Sequence, residues 1–133
     1  MLLEGSPRII RVMSKTILVV DDDKLIREGL SALLKNAGQT VLEAADGKEG
    51  LAAALAQHPD LVVSDVRMPN MTGLEMVDAL REDEWGKHVP IVMLTNDETN
   101  DSVNHALQAG VTVYLAKNLD PASLTQQILQ AAG

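Results

Sequence analysis

Short apolar runs alternate along this chain with longer stretches in which apolar residues recur every three or four positions. A continuous apolar run of four or five residues is typical of a strand buried on both faces of a parallel sheet, whereas the wider spacing is typical of an amphipathic helix. The pattern predicts strands over residues 16–20, 40–43, 61–65, 90–94 and 113–116.

A helix is predicted after each strand, and residues at the helix ends support this assignment. Asp46 and Asp120 are predicted N-caps, the second followed by Pro121 at the first helical position. Gly38 and His58 mark predicted helix ends. The third helix is predicted to follow Gly73 and to fade near residues 85–86, and the fourth to cover residues 98–109. The side chains expected to face the core are Ile26, Leu30, Leu33, Leu34, Ala37, Leu51, Ala54, Leu55, Leu74, Val77, Leu80, Val103, Ala106, Leu107, Leu124 and Ile128.

Strands that alternate with helices predict an α/β fold, in which a doubly wound parallel sheet is covered on both faces and joined by right-handed crossovers. The expected strand order is flavodoxin-like, 2-1-3-4-5. The chain of 133 residues has room for one such domain. We expect the domain to occupy residues 15–133 and residues 1–14 to form a loose tail.

Composition narrows the possible functions. The net charge of −8 disfavours direct binding to nucleic acid. The absence of cysteine excludes a disulfide framework or a cysteine-based zinc site and fits a reducing compartment. No apolar run approaches the roughly 20 residues that cross a bilayer, and no signal peptide is apparent. We therefore expect a cytoplasmic protein without a membrane partner.

Three carboxylates follow neighbouring strands of the predicted sheet. Asp21 and Asp22 follow the first strand and Asp65 ends the third, and adjacent strands lie only about 4.8 Å apart. Carboxylates this close repel each other unless a cation compensates them, and Mg²⁺ prefers such oxygen ligands. We expect Asp22 and Asp65 to bind Mg²⁺ directly, Asp21 to act through a water, and the Arg67 backbone carbonyl to supply another oxygen. Mn²⁺ is an acceptable substitute.

Two further polar residues end the outer strands of the predicted sheet. Thr95 follows the fourth strand and Lys117 the fifth, and the long lysine stem can bring its ammonium to the Asp65 side. An acid pair, a central aspartate, a hydroxyl and an ammonium are thus expected at four successive strand ends.

This ordered set resembles the receiver domain of two-component response regulators. The matching pieces are residues 17–23, Asp65 with Met68-Pro69 and Gly73, Thr95, and Tyr114 three residues before Lys117. The resemblance extends from about Ser14 to Ala132. It implies that Asp65 accepts a phosphoryl group from a phosphohistidine on a histidine kinase or a histidine phosphotransfer protein. Mg²⁺, Lys117 and Thr95 would then bind the phosphoryl oxygens.

The resemblance also implies a conformational switch. The phosphoryl group would draw the Thr95 hydroxyl inward, the Tyr114 ring would rotate into the vacated space, and the face formed by helix four, strand five and helix five would change. A downstream protein or output domain would respond to that face. The domain itself is expected not to be an enzyme, beyond its own phosphotransfer and self-dephosphorylation.

The chain departs from the family pattern near the site. Asn118 replaces the proline that usually follows the lysine in a cis peptide, so we predict a trans bond because a cis bond without proline costs about 2.5–4 kcal/mol. Asn96 stands where the family usually has a small residue. Arg67 and Asp97 occupy positions that affect phosphoryl lifetime in the family.

Two other functions remain as alternatives. A receiver-like module that binds partners without phosphate is one; Asn96 and Asn118 leave it open, whereas the clustered carboxylates argue against it because a pure scaffold does not need them. The other is a phosphatase of the haloacid dehalogenase type, suggested by the Asp-x-Asp of Asp21 and Asp23. The chain is too short for that family's cap, and Leu25 stands where its threonine or valine is expected.

Overall fold

The five predicted strands and five predicted helices are all present in a computed structural model, which describes residues 14–96 and 100–133. The strands are β1 (Thr16–Val20), β2 (Thr40–Ala44), β3 (Leu61–Asp65), β4 (Ile91–Thr95) and β5 (Val113–Ala116). The helices are α1 (Lys24–Asn36), α2 (Gly47–Gln57), α3 (Gly73–Arg81), α4 (Asn100–Ala109) and α5 (Pro121–Ala131). The predicted tail, apart from Ser14, and the predicted first residues of the fourth helix lie outside the described residues. No helix in the described ranges is both long and apolar enough to span a bilayer.

The strands form one parallel sheet in the order β2-β1-β3-β4-β5, which confirms the predicted fold and strand order. Successive side chains of a strand point to opposite faces. Ile17 and Val19 of β1 therefore pack with α1 and α5 on one face, and Leu18 and Val20 pack with α2, α3 and α4 on the other. Both faces are covered, which explains why the central strands are continuously apolar.

Side-chain caps determine where four of the helices begin. Asp46 and Asp120 accept backbone N–H groups at the starts of α2 and α5, as predicted. Asp23 caps α1, and Thr72 forms a capping box with Glu75 at the start of α3; neither cap was predicted. Each cap satisfies N–H groups that have no partner inside the helix.

Three residues predicted to face the core are exposed. Leu55 is 39% exposed and Leu107 51% exposed, and Ile26 is also exposed. In α2 the buried face is made by Gly50 and Ala54, since a Cβ at Gly50 would lie 2.9 Å from a Val20 methyl carbon. These small residues let α2 approach the sheet closely. Leu55, one position after Ala54, is then turned toward solvent.

Helix α3 ends at Arg81, earlier than its apolar pattern indicates. The Asp83 carboxylate accepts the backbone N–H groups of Trp85 and Gly86, at 3.0 and 2.9 Å. This turn offers the backbone an alternative to helical hydrogen bonds. The Arg81 guanidinium then fastens the turn by donating to the carbonyl oxygens of Gly86, Val89 and Gly110.

The hydroxyl of Ser31 on α1 is buried without a hydrogen-bond partner among the described residues, and the residue is only 2% exposed. Burying an unsatisfied hydroxyl is unfavourable, so Ser31→Ala should raise the free energy of unfolding by about 1 kcal/mol. Denaturant unfolding followed by fluorescence of Trp85, the single tryptophan, measures the change.

Ser64→Ala is the matched comparison. The Ser64 hydroxyl, which is also buried, donates to the Asp65 carbonyl oxygen at 2.8 Å, so its loss should lower the free energy of unfolding. A loss of stability in Ser31→Ala as well would show that the Ser31 hydroxyl is satisfied in solution.

Candidate functional site

Four strands end at one edge of the sheet, and each end carries a residue that the sequence singles out. Asp21 follows β1, Asp65 ends β3, Thr95 ends β4 and Lys117 follows β5. The parallel register places these ends side by side, because Asp65 lies beside Leu94 of β4 and Thr95 beside Ala116 of β5. The structure therefore brings together the residues predicted to share a site.

Three aspartates form an acidic cluster at this edge. Asp21, Asp22 and Asp65 each offer a carboxylate oxygen, and these oxygens lie within 4.8 Å of one another. Asp21 is only 4% exposed, Asp65 is partly buried and Asp22 is exposed. Three hard oxygen donors without sulfur or imidazole suit Mg²⁺ better than zinc or copper. The cluster is therefore suited to hold a divalent cation of that kind.

Lys117 compensates two of the three carboxylates. Its Nζ lies 3.2 Å from Asp21 Oδ2 and 3.2 Å from Asp65 Oδ1. The sequence indicated an approach to Asp65, but not the second ion pair with Asp21. One ammonium therefore joins the ends of β1 and β3.

Burial and charge act on the protonation of this pair in opposite directions. Burial raises the pKa of the Asp65 carboxyl, and the negative charge of Asp21 raises it further. The Lys117 ammonium offsets only part of this increase. Burial alone would lower the pKa of Lys117, but Asp65 and Asp21 outweigh it and the pKa of Lys117 is raised. The lysine therefore stays charged, and the aspartate ionises less readily than an exposed one.

Backbone and side-chain contacts hold the Asp21 end of the cluster. The Asp23 N–H donates to Asp21 Oδ1 at 2.9 Å, and the Asp21 N–H donates to the Ala44 carbonyl oxygen at 3.1 Å. Arg27 donates to the Asp21 carbonyl oxygen at 2.8 Å and pairs with Glu43 at 3.1 Å. Arg27 was not predicted, because its two partners are separated from it in the sequence and only the fold brings them together.

The loop after Asp65 is compact. The Val66 N–H donates to Asp65 Oδ1 at 2.7 Å, and the Gly73 N–H closes the loop by donating to the Val66 carbonyl oxygen at 2.8 Å. A Cβ at Gly73 would overlap the Asp65 carbonyl oxygen. Glycine at residue 73 therefore allows α3 to start directly against the end of β3.

A cavity of about 450 Å³ opens beside the acidic cluster. Its lining residues are Asp65, Val66, Arg67, Thr95, Asn96 and Lys117. Thr95 is buried, whereas Arg67 and Asn96 are exposed. Asp97, predicted to flank the site with Arg67, lies outside the described residues. A small anion in this cavity would meet the Thr95 side chain and the Lys117 ammonium.

The bond between Lys117 and Asn118 is trans, as predicted, since no peptide bond in the described part of the chain is cis. The Lys117 N–H donates to the Thr95 carbonyl oxygen at 2.9 Å, which extends the pairing of β4 and β5 by one residue. The lysine thus reaches the cluster with asparagine in place of the expected proline.

Tyr114 lies partly buried on β5, beside Met93 of β4. Its ring borders a second cavity, of about 260 Å³, which is lined also by Val66, Arg67, Thr72, Leu74, Ser102, His105 and Ala106. The tyrosine therefore adjoins open space between α3 and α4, next to the loop that follows Asp65.

Comparisons with known proteins agree on one family. The family model described as "Response regulator receiver domain" matches residues 17–129. Chemotaxis protein CheY of Pseudomonas aeruginosa is 37% identical over 113 residues, covering 84% of this chain and 91% of the relative. The nitrate/nitrite response regulator NarL of Escherichia coli is 35% identical over 119 residues, covering 88% of this chain and 54% of the relative.

A solved structure extends the similarity to three dimensions. The chemotaxis response regulator CheY4 of Vibrio cholerae is 37% identical with a TM-score of 0.85, and the alignment covers 90% of this chain and 99% of that one. The chain spans about half the length of NarL and of the phosphate regulon regulator PhoB of Pseudomonas aeruginosa.

The raised pKa of Asp65 predicts how an uncharged replacement affects stability. The pKa of Asp65 is higher in the folded protein than in the unfolded chain, where it is near 3.8. Ionisation of Asp65 as pH rises through this higher pKa therefore lowers the stability of the folded protein. Asp65→Asn should therefore raise the free energy of unfolding at pH 7 in EDTA, and this gain should shrink as pH falls toward 4.

Asp78→Asn, at an exposed position on α3, is the control and should have little effect at either pH. An Asp65→Asn variant no more stable than wild type at pH 7 would mean that Lys117 stabilises the carboxylate more than burial penalises it.

Proposed function

This chain belongs to the response regulator receiver domain family, and from that membership we propose that Asp65 accepts a phosphoryl group from a phosphohistidine in a Mg²⁺-dependent reaction. Receiver domains are the phosphoacceptors of two-component signalling. The observation that supports the assignment is the cluster of Asp21, Asp22 and Asp65 oxygens, with the Lys117 ammonium 3.2 Å from two of these carboxylates.

The donor set supports a bound Mg²⁺. Asp22 and Asp65 would hold the ion directly, Asp21 through a water, and the Arg67 carbonyl would supply a further oxygen. Mg²⁺, or Mn²⁺ in its place, would neutralise charge on the transferring phosphoryl group. Asp21 is less suited to bind the ion directly, because its Oδ1 accepts the Asp23 N–H and its Oδ2 the Lys117 ammonium.

The chemical step is an in-line displacement at phosphorus. A carboxylate oxygen of Asp65 forms a bond to phosphorus while the bond from phosphorus to the histidine nitrogen breaks, and the electron pair stays on that nitrogen. Oδ1 already accepts the Val66 N–H, so we assign the attack to Oδ2. Lys117 and the Thr95 hydroxyl would bind phosphoryl oxygens in the adjoining cavity.

The cavity beside Tyr114 supports the proposed switch. Thr95, drawn toward the phosphoryl group, would free space into which the Tyr114 ring can turn, and the face of α4, β5 and α5 would change. Phosphorylation would shift a population between two existing states. A shift from 1:99 to 99:1 requires about 5.5 kcal/mol of differential stabilisation.

Partners and accessory roles follow from the same proposal. A histidine kinase or histidine phosphotransfer protein would donate the phosphoryl group in the cytoplasm, and a downstream protein or output domain would respond. Arg67 and Asn96 line the cavity and would influence the entry of the water that hydrolyses the aspartyl phosphate. The domain's own phosphotransfer and this self-dephosphorylation would be the only reactions it carries out. For Asp97 the same role stays a sequence prediction.

The direct test is intact mass after incubation with phosphoramidate and Mg²⁺. Wild type should gain one phosphoryl group, and Asp65→Asn or an excess of EDTA should abolish the gain. Asp78→Asn, which removes an exposed carboxylate on α3, is the control and should be modified like wild type.

Other outcomes would favour the alternatives. A folded wild type that neither gains mass nor binds Mg²⁺ would indicate the phosphate-independent module. Modification that persists in Asp65→Asn but disappears in Asp21→Asn would indicate the phosphatase-like use of Asp21.

A further inference from the structure

The end of the edge strand β2 and the loop after it lie beside the segments that carry the acidic cluster. The Ala44 carbonyl oxygen at the end of β2 accepts the Asp21 N–H at 3.1 Å. Two residues later, Asp46 is 9% exposed and contacts the loop that follows Asp65. The end of β2 and the loop that follows it therefore contact both backbone segments that carry the buried and partly buried carboxylates.

Asp46 makes two different hydrogen bonds. Its Oδ1 accepts the Glu49 N–H at 2.8 Å, which is the ordinary N-cap bond of α2. Its Oδ2 accepts the Asn70 side-chain amide at 2.8 Å, from a residue 24 positions away. Among the described residues, the hydrogen bonds of Asp120, the N-cap of α5, are with Ser123 and its neighbours. Capping therefore does not account for the second bond of Asp46.

Asn70 is placed to transmit this contact to the loop. It has a φ of +69°, in the left-handed region that asparagine tolerates better than most residues. The adjoining Met71 N–H donates to the Pro69 carbonyl oxygen at 2.7 Å, so the loop is tightly turned at this point. A Cβ at Gly47 would overlap the Met71 carbonyl oxygen, so the two backbones are in contact beside the Asp46–Asn70 bond.

We propose that Asp46 is a positioning residue for the divalent cation, acting through Asn70 to hold the loop over residues 66–72. The loop carries the Arg67 carbonyl, one of the oxygens assigned to the ion, and begins directly after Asp65. With Asn70 fastened to α2, this carbonyl and the Asp65 carboxylate keep a fixed spacing. This inference rests on the proposed Mg²⁺ site.

The first variant is Asn70→Gly. Glycine adopts a φ of +69° without strain and leaves the net charge unchanged, so the variant removes the bond to Asp46 and also adds backbone freedom at residue 70, for which a reversed pair is the control. Groups that hydrogen-bond to metal ligands typically change metal affinity by about 10- to 100-fold. Asn70 is exposed and holds the loop that carries a ligand, so we expect the lower end, about a tenfold rise in the Mg²⁺ dissociation constant measured by isothermal titration calorimetry.

A reversed pair tests whether the hydrogen bond itself is responsible. In Asp46→Asn with Asn70→Asp, the amide and carboxylate exchange places, so the bond can re-form at the same net charge. Asn70→Asp alone places two carboxylates against each other and should weaken Mg²⁺ binding, whereas Asp46→Asn alone can keep a hydrogen bond because the Asn70 amide can rotate. The double variant should recover most of the wild-type affinity. Asp120→Ser, which alters the cap of α5 instead, should bind Mg²⁺ like wild type.

The outcomes separate this inference from the proposed function. Wild type that binds no Mg²⁺ would overturn the metal site on which both depend. Wild type that binds Mg²⁺ and is phosphorylated, together with unchanged affinity in Asn70→Gly, would overturn only the role of Asp46. Weakened binding in Asn70→Gly without recovery in the reversed pair would also overturn it.

Discussion

The arrangement of this protein depends on how the negative charges of Asp21 and Asp65 are neutralised at the carboxyl ends of the strands. Asp21 and Asp65 are brought close by adjacent strands, and two partly desolvated carboxylates at this distance repel each other. Lys117 places one ammonium 3.2 Å from both, and the backbone N–H groups of Asp23 and Val66 bind the remaining charge. Burial still raises the pKa of Asp65, so compensation is incomplete. A divalent cation would complete it, which connects the stability of this edge to the proposed chemistry.

The rest of the fold supplies the rigidity that this charge arrangement requires. The central strands are buried on both faces, so their ends cannot move apart without disrupting the core. Around the edge, Arg27 fastens the Asp21 segment and Asp46 fastens the loop after Asp65. Both contacts come from the side of the edge strand β2, whereas the cavity opens on the side of Thr95. The side of the site near β2 is thus held by hydrogen bonds, whereas the side near Thr95 has a cavity suited to receive a phosphoryl group.

Much of the fold was predictable because strand and helix periods differ and the strands are continuously apolar. The strand order follows from that pattern and from the geometry of doubly wound parallel sheets. The same geometry predicts the meeting of Asp21, Asp65, Thr95 and Lys117 at the strand ends. The residue types at the helix starts predict the caps at Asp46 and Asp120. Helix faces were less predictable. Leu55 and Leu107 fit a helical period yet are exposed. In α2, the close approach of Gly50 and Ala54 to the sheet decides which face is buried and leaves Leu55 outside.

By itself, the sequence determined the class of fold, the edge of the sheet that carries the chemistry, and the residue types present there. Those features depend on periodicity and on side chains at strand ends, which are local properties of the chain. Only the tertiary structure decided that Lys117 bridges two aspartates, that Arg27 holds Asp21, and that Asp46 reaches Asn70. These contacts join segments up to 96 residues apart, and their geometry depends on strand register and helix packing rather than on any local pattern.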